Sequence, residues 1–250
     1  FISLISIFTS IIYNSLNKTI WRFKVTVQKI IRKISFFNNL SDEQINIIAS
    51  ISTVSKQPNK SILYYESDIN KNLLFLVEGL IKIYKVDKFN NEIFLYHIYK
   101  NSMISELTST NNKEIYCFSN AEFIEDSIVL SINFEKFQEY FLSKNILTME
   151  LLEVLLNKTH QLQCIVNREL VFDATAKVAF MLSQDLEMFN RLKRQEVSFM
   201  LHIQPETLSR VLKRLSRNEI IQVDLGTVKI TNSEALVSIF RGIGIWNQTQ

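Results

Sequence analysis

An α+β fold with two packed cores and a long helix between them is predicted by three observations on this 250-residue sequence. Between Ser61 and Ile132 the apolar spacing shifts toward a period of two, after Phe134 it turns helical as far as about Arg168, and the last third runs helix, turn, helix, short β pair. The chain is 47% hydrophobic and 21% charged, with only two prolines, which excludes a disordered or collagen-like protein. Two cysteines, Cys117 and Cys164, cannot build a disulfide framework or a four-thiolate metal or iron-sulfur site within one chain. A reducing, cytoplasmic compartment is therefore expected.

Residues 1–27 are expected to form an extension outside the fold. Phe1 to Tyr13 is apolar but falls short of the roughly 20 residues a bilayer crossing needs, so no stable membrane span is expected. Its bases follow the apolar run instead of preceding it, which argues against a secretory signal. An amphipathic surface anchor with Trp21 and Phe23 among the bases is the alternative.

Ser41-Asp42-Glu43 offers a helix start, followed by Ile45 and Ile48 at helical spacing. Strands are expected at Ile62–Tyr65, Leu73–Val77, Leu80–Val86, Ile93–Ile98, Ile115–Phe118 and Ile128–Ile132, with turns at Glu78-Gly79 and Lys88–Asn91. So many short strands indicate a barrel or sandwich. One long helix is then expected over 135–170. Its residues 152, 156, 159, 163 and 166 have heptad spacing that suits a second copy of the chain, while burial within one subunit is an equal alternative. Asp173 is a candidate N-cap, Arg194 to Met200 a short helix, and Pro205 stands where a new helix accepts it, at the first position. That helix should run to about Asn218. Two β runs, Ile220–Val223 and Val228–Thr231, follow, with Gly226 in the turn between them. Helix, turn, helix, hairpin is the winged helix-turn-helix order.

Charge is distributed unevenly. Six of the 28 bases lie in residues 1–41 with no acid, leaving 22 bases against 25 acids in the rest. Within that acidic remainder, residues 191–217 hold seven bases and two acids, which suits a polyanionic partner. On the helix from Pro205, Leu208, Val211, Leu212 and Leu215 share one face, and Glu206, Ser209, Arg210, Lys213 and Arg217 the other. Arg can donate twice to guanine, Glu can accept from the cytosine amino group, and Ser can meet either base type, so Glu206, Ser209 and Arg210 are the candidate base readers. Lys213, Arg214 and Arg217, with Arg194, Gln195 and Thr207, are the candidate phosphate contacts.

The stretch RQEVSFMLHIQPETLSRVLKRLSRNEIIQVDLGTVKI, Arg194 to Ile230, resembles the carboxy-terminal half of the bacterial cAMP receptor protein and fumarate-nitrate reductase regulator (Crp/Fnr) family. ISFFNNLSDEQ (Ile34 to Gln44) resembles that family's lead-in helix, and LFLVEGLIKIY (Leu74 to Tyr84) its central hairpin. The resemblance covers roughly residues 28–240. It implies a cyclic-nucleotide-binding-like β-roll sensor domain over 28–134, a long dimerisation helix over 135–170 and a winged helix-turn-helix DNA-binding domain over 171–250. It also implies a homodimer on double-stranded DNA, a TTGAT-like palindrome read through E-x-x-S-R, and contact with RNA polymerase if the protein activates.

The departures from the family pattern bear on the effector. Ser105-Glu106-Leu107 stands where cAMP-binding members have Gly-Glu-Leu, but Cys117-Phe118 occupies the region of their phosphate-holding Arg-Ser, and no arginine lies between Arg32 and Arg168. Leu162-Gln163 replaces the Thr-Ser pair implied as an adenine contact. Glu106, Leu107, Cys117, Leu162 and Gln163 thus mark the effector pocket without the means to hold a cyclic phosphate, so cAMP in the usual mode is not expected. No cysteine precedes Cys117, which argues against the family's amino-terminal [4Fe-4S] cluster. His97 and His160 are the candidate ligands if the effector group is haem, against the alternative of hydrogen-bonded structural histidines. An enzyme finds no support, for no Gly-rich phosphate loop, metal-ligand spacing or nucleophile motif is present. The competing reading is a small-ligand or haem-binding sensor whose winged domain mediates protein contacts.

Overall fold

The computed structural model describes residues 27–110 and 112–241. The expectations for Phe1 to Tyr13 and for residues 1–26 in general lie outside the described residues. Two compact units divide within a long helix at 156/157, with Ile93–Leu95 grouped with the second.

In the first unit, residues 27–31 are helical, and a 3-10 turn Ser35–Phe37 leads to α1, Asp42–Ser50. Ser41 caps α1 as expected: its hydroxyl accepts from the Gln44 amide while the Gln44 side chain accepts from the Ser41 amide. Two four-stranded sheets follow. One has the order β1 (Ser52–Gln57), β10 (Ser127–Asn133), β4 (Asn72–Glu78), β7 (Ser102–Met103); the other has β2 (Ile62–Tyr64), β9 (Asn120–Phe123), β5 (Leu80–Val86), β6 (Glu92–Tyr99). A short pair, β3 (Ile69–Asn70) with β8 (Ile115–Tyr116), closes one end. The central pairings are antiparallel, with Ser52 opposite Ile132 and Ile132 opposite Leu73.

Leu73, Phe75 and Val77 of β4 pack in one cluster with Phe36, Phe37, Ile45, Ile48, Phe134 and Phe137 from the flanking helices. The alternate residues Leu74 and Leu76 are buried as well, which is why this strand reads as an unbroken apolar run and not as an alternation. Gly79 turns β4 into β5 at φ 99°, and a Cβ there would meet the Ser127 side chain at 2.0 Å. Asn90 supplies positive φ in the next hairpin, within the expected Lys88–Asn91 turn.

The single helix expected over 135–170 is corrected by the structure. A short α2 (Phe134–Tyr140) and a 3-10 turn (Leu142–Lys144) precede the long helix, α3, which begins only at Thr148 and ends at Leu170. Asn145 and Leu147, at φ 56° and 63°, break the helical path between them. Leu147 and Leu151 are drawn into the roll core. The heptad set Leu152, Leu156, Thr159, Gln163 and Val166 is exposed throughout.

In the second unit, α4 (Ala174–Gln184) is capped by Asp173, whose carboxylate accepts from the Ala176 amide. α5 (Leu186–Arg191), α6 (Arg194–Met200), α7 (Pro205–Arg217), the hairpin β11 (Ile221–Asp224) and β12 (Thr227–Ile230), and α8 (Ser233–Arg241) complete it. α5 and α8 have no counterpart in the sequence expectations. Phe172, Phe180 and Phe240 meet edge to face or tilted, with centroids 5.4 to 6.2 Å apart, and so bind α8 to α4. Among the described residues, no helix is long and apolar enough to cross a membrane.

Candidate nucleic-acid interface

Helix α7 separates its faces as its sequence demands. Leu208, Val211, Leu212 and Leu215 are buried, and Pro205 occupies the first turn. Glu206, Ser209, Arg210, Lys213, Arg214 and Arg217 are all exposed. α6 stands before it, with Glu196 accepting from the Lys193 amide at 2.7 Å to fix its start. Four residues, Leu201 to Gln204, join the two. The hairpin that follows is a wing whose turn carries Gly226 at φ 84° and a fully exposed Leu225.

Arg194 departs from its expected place among the phosphate contacts. Its guanidinium lies over the Phe189 ring, 4.7 Å from the centroid, and Nη2 donates to the Gly226 carbonyl in the wing turn. Nη1 is buried with no hydrogen-bond partner among the described residues, and burial lowers the pKa of the group. The cation is thus spent on an aromatic face and a carbonyl of its own domain, which braces the wing. Arg214 keeps its exposure but donates to the Thr175 hydroxyl at the start of α4. Gln195 is exposed, and Thr207 half-buried in the first turn of α7.

Behind the turn lies a charge network that no sequence motif announced. His202, at φ 51°, sits with Nδ1 2.8 Å from a Glu169 carboxylate oxygen at the end of α3. The same oxygen is 3.4 Å from the Lys177 Nζ, which also donates to the Leu201 carbonyl at 3.2 Å and so ends α6. The other Glu169 oxygen accepts from Arg168. Burial pushes the Glu169 carboxyl upward, but the hydrogen bonds from His202 and Arg168 outweigh it and hold the group below the usual carboxylate range. The partners stand 33 residues apart in sequence, too far for spacing to reveal.

In the roll, Glu106 is half-buried among its own donors. One oxygen accepts from the Tyr96 hydroxyl and the Ser119 hydroxyl, both at 3.0 Å, and the other from the Phe118 amide at 3.1 Å. Burial first and the Glu106 charge second push the Tyr64 and Tyr96 hydroxyls far above the usual phenol range. Cys117 is brought beside this cluster; burial, then Asp68 and Glu106, push its thiol up to about 11, so it is unreactive. Leu107 packs on the roll core. Leu162 and Gln163 are exposed on α3 and belong to the second unit. A cyclic phosphate would find a carboxylate already satisfied and no cation in the roll segment Glu106 to Phe118 resembling the family's phosphate clamp except the exposed Lys113, which is paired with Glu135. These residues do not fit cAMP in the family's usual mode.

His97 is buried in β6 with its ring 6.2 Å from that of Tyr99, whereas His160 is exposed on α3, 4.0 Å from the Cys164 sulfur. Among the described residues, no group of three or more His, Cys, Asp or Glu is placed to hold a metal ion.

Residues 177–239 match the Crp-like helix-turn-helix domain family. They take in α6, the turn, α7 and the wing. This chain carries a Crp-like helix-turn-helix domain. The chain is 28% identical over 114 residues to the anaerobic regulatory protein of Bacillus subtilis, a match covering 46% of this chain and 48% of that one, so it spans about half that relative's length. It is 19% identical over 211 residues to the cyclic AMP receptor protein of Thermus thermophilus, covering 83% of this chain and 97% of the other. A CooA mutant from Carboxydothermus hydrogenoformans has the same fold, with a TM-score of 0.65 at 16% identity over 82% of this chain and 94% of that one.

Proposed function

We propose that the chain is a transcription regulator of the Crp/Fnr type, working as a homodimer that inserts α7 of each subunit into successive major grooves of a TTGAT-like palindrome. The observation that carries this reading is the divided surface of α7: four buried aliphatic side chains opposite a fully exposed row of Glu206, Ser209, Arg210, Lys213 and Arg217. Glu206, Ser209 and Arg210, at i, i+3 and i+4, address adjacent base pairs. Gln195, Thr207, Lys213, Arg214 and Arg217 hold phosphates, and Arg194 positions the wing.

The second copy is supported by α3, where Leu152, Leu156 and Val166 are 47%, 61% and 52% exposed along one heptad face. Two copies related by a two-fold axis present their reading helices about one helical turn apart. The effector is not cAMP in the family's usual mode, because Glu106 is satisfied from within and Cys117-Phe118 brings no cation. Salt titration of DNA affinity tests the phosphate set. Contacts through Lys213, Arg214 and Arg217 of both subunits predict a steep log-log slope, roughly −0.9 per phosphate, whereas a winged domain built for protein contact predicts a flat one.

A further inference from the structure

Between Leu170, the last residue of α3, and Ala174, the first of α4, the chain runs through Val171, Phe172 and Asp173. A short link of this kind can absorb a change of direction as a hinge, unless side chains span it. Glu169 spans it. One of its carboxylate oxygens meets His202 Nδ1 at 2.8 Å and Lys177 Nζ at 3.4 Å, so a single atom ties α3 to α4 and to the turn before α7. Lys177 carries the tie further, for its Nζ donates to the Leu201 carbonyl, 3.2 Å away, at the end of α6. Arg168 holds the second oxygen and donates to the Leu95 carbonyl at 3.1 Å, in the Ile93–Leu95 stretch that belongs to the same compact unit as α3 from Asn157 onward. The side chains of Arg168, Glu169, Lys177 and His202 are 12%, 28%, 10% and 26% exposed. Charges withdrawn from water to this degree keep their geometry, because releasing one leaves its partner desolvated and unpaired.

We propose that Glu169 is a positioning residue for DNA recognition, which fixes α7 against α3 and thereby sets the half-site spacing that the chain accepts. The inference rests on the homodimer reading above. Val166, on the heptad face given to the second copy, stands three residues before Glu169 on the same helix, so the two-fold axis is referred to the turn and α7 through this carboxylate. One inserted base pair rotates a half-site by about 35° and moves it by about 3.4 Å, and a stiff joint tells neighbouring spacings apart where a loose one does not. A carboxylate has no attraction for phosphates, so a change on its removal reports geometry and not a lost contact.

Binding of the full chain to three duplexes tests the proposal: a TTGAT-like palindrome with half-sites one helical turn apart, the same palindrome with one base pair inserted at its centre, and a duplex with a single half-site. The wild type should favour the first over the second. In Glu169→Ala that preference should shrink by about tenfold, a typical coupling within a charge network, while affinity for the single half-site is unchanged. Glu169→Gln keeps one acceptor oxygen and should recover part of the preference. Should Glu169→Ala fold poorly, His202→Asn serves in its place, since Asn tolerates the φ of 51° at this position and removes one of the two ties. Equal loss on all three duplexes marks a merely structural residue and an unchanged preference an idle one; either overturns the proposal and leaves the DNA reading intact. A wild type that binds all three duplexes alike overturns the homodimer reading beneath it.

Discussion

Arg210 and Lys213 stand one turn apart on the exposed face of α7, and their losses should differ in kind. A guanidinium that donates twice to one guanine contributes discrimination, so Arg210→Ala should cost roughly 1–3 kcal/mol of affinity and relax preference at one G·C pair. Lys213→Ala should weaken all sequences alike and shrink the salt slope by about 1. Affinity measured on the preferred duplex and on single-pair variants separates the two. Equal loss on all duplexes for Arg210→Ala would remove it from base reading. Gly79 offers a test of the roll: at φ 99°, with the Ser127 side chain 2.0 Å from where a Cβ would stand, Gly79→Ala should destabilise the fold by about 1–3 kcal/mol. A lowered urea midpoint at unchanged slope is the expected result. The chemistry of such single residues was legible in the sequence where it depends on residue type and helical spacing, as for Glu206, Ser209 and Arg210. It was not legible for Arg194, whose place on Phe189 and the Gly226 carbonyl depends on a wing 32 residues away.

At the scale of elements, α3 and the turn before α7 carry the account. Leu156 is 61% exposed among the described residues, so Leu156→Glu should leave the subunit folded and place like charges across the proposed two-fold axis. Sedimentation should show a monomer with unchanged helical content; an unchanged dimer would move the interface elsewhere. Helix α7 and its wing were legible because apolar period, Pro205 and Gly226 agree. The start of α3 was not, since Ile146, Leu147 and Leu151 continue the apolar pattern while Asn145 and Leu147 leave helical dihedrals. β1, Ser52–Gln57, escaped for the opposite reason: STVSKQ carries one aliphatic residue and forms a strand only because β10 pairs along its whole length. α8 did leave a signal, an N-capping Asn232 that accepts from the Ala235 amide.

For the whole molecule, the sequence and the structure agree on the order of parts: strand-rich roll, long helix, winged helix-turn-helix. The acidic balance of residues 42–250 with a basic segment at 191–217 fits a protein that directs one face toward a polyanion and keeps the rest of its surface from nonspecific attraction. The roll has the family's architecture, yet its Glu106 is held by Tyr96, Ser119 and Phe118 of the same domain. That carboxylate is thus satisfied from within the roll. The central claim is that α7 reads sequence in a symmetric pair, and selection from a random duplex library by the purified full chain at low salt tests it most directly. The account predicts enrichment of a TTGAT-like palindrome with half-sites about one helical turn apart, lost in Arg210→Ala. Enrichment of no sequence, or of one that Arg210→Ala selects equally well, would contradict it.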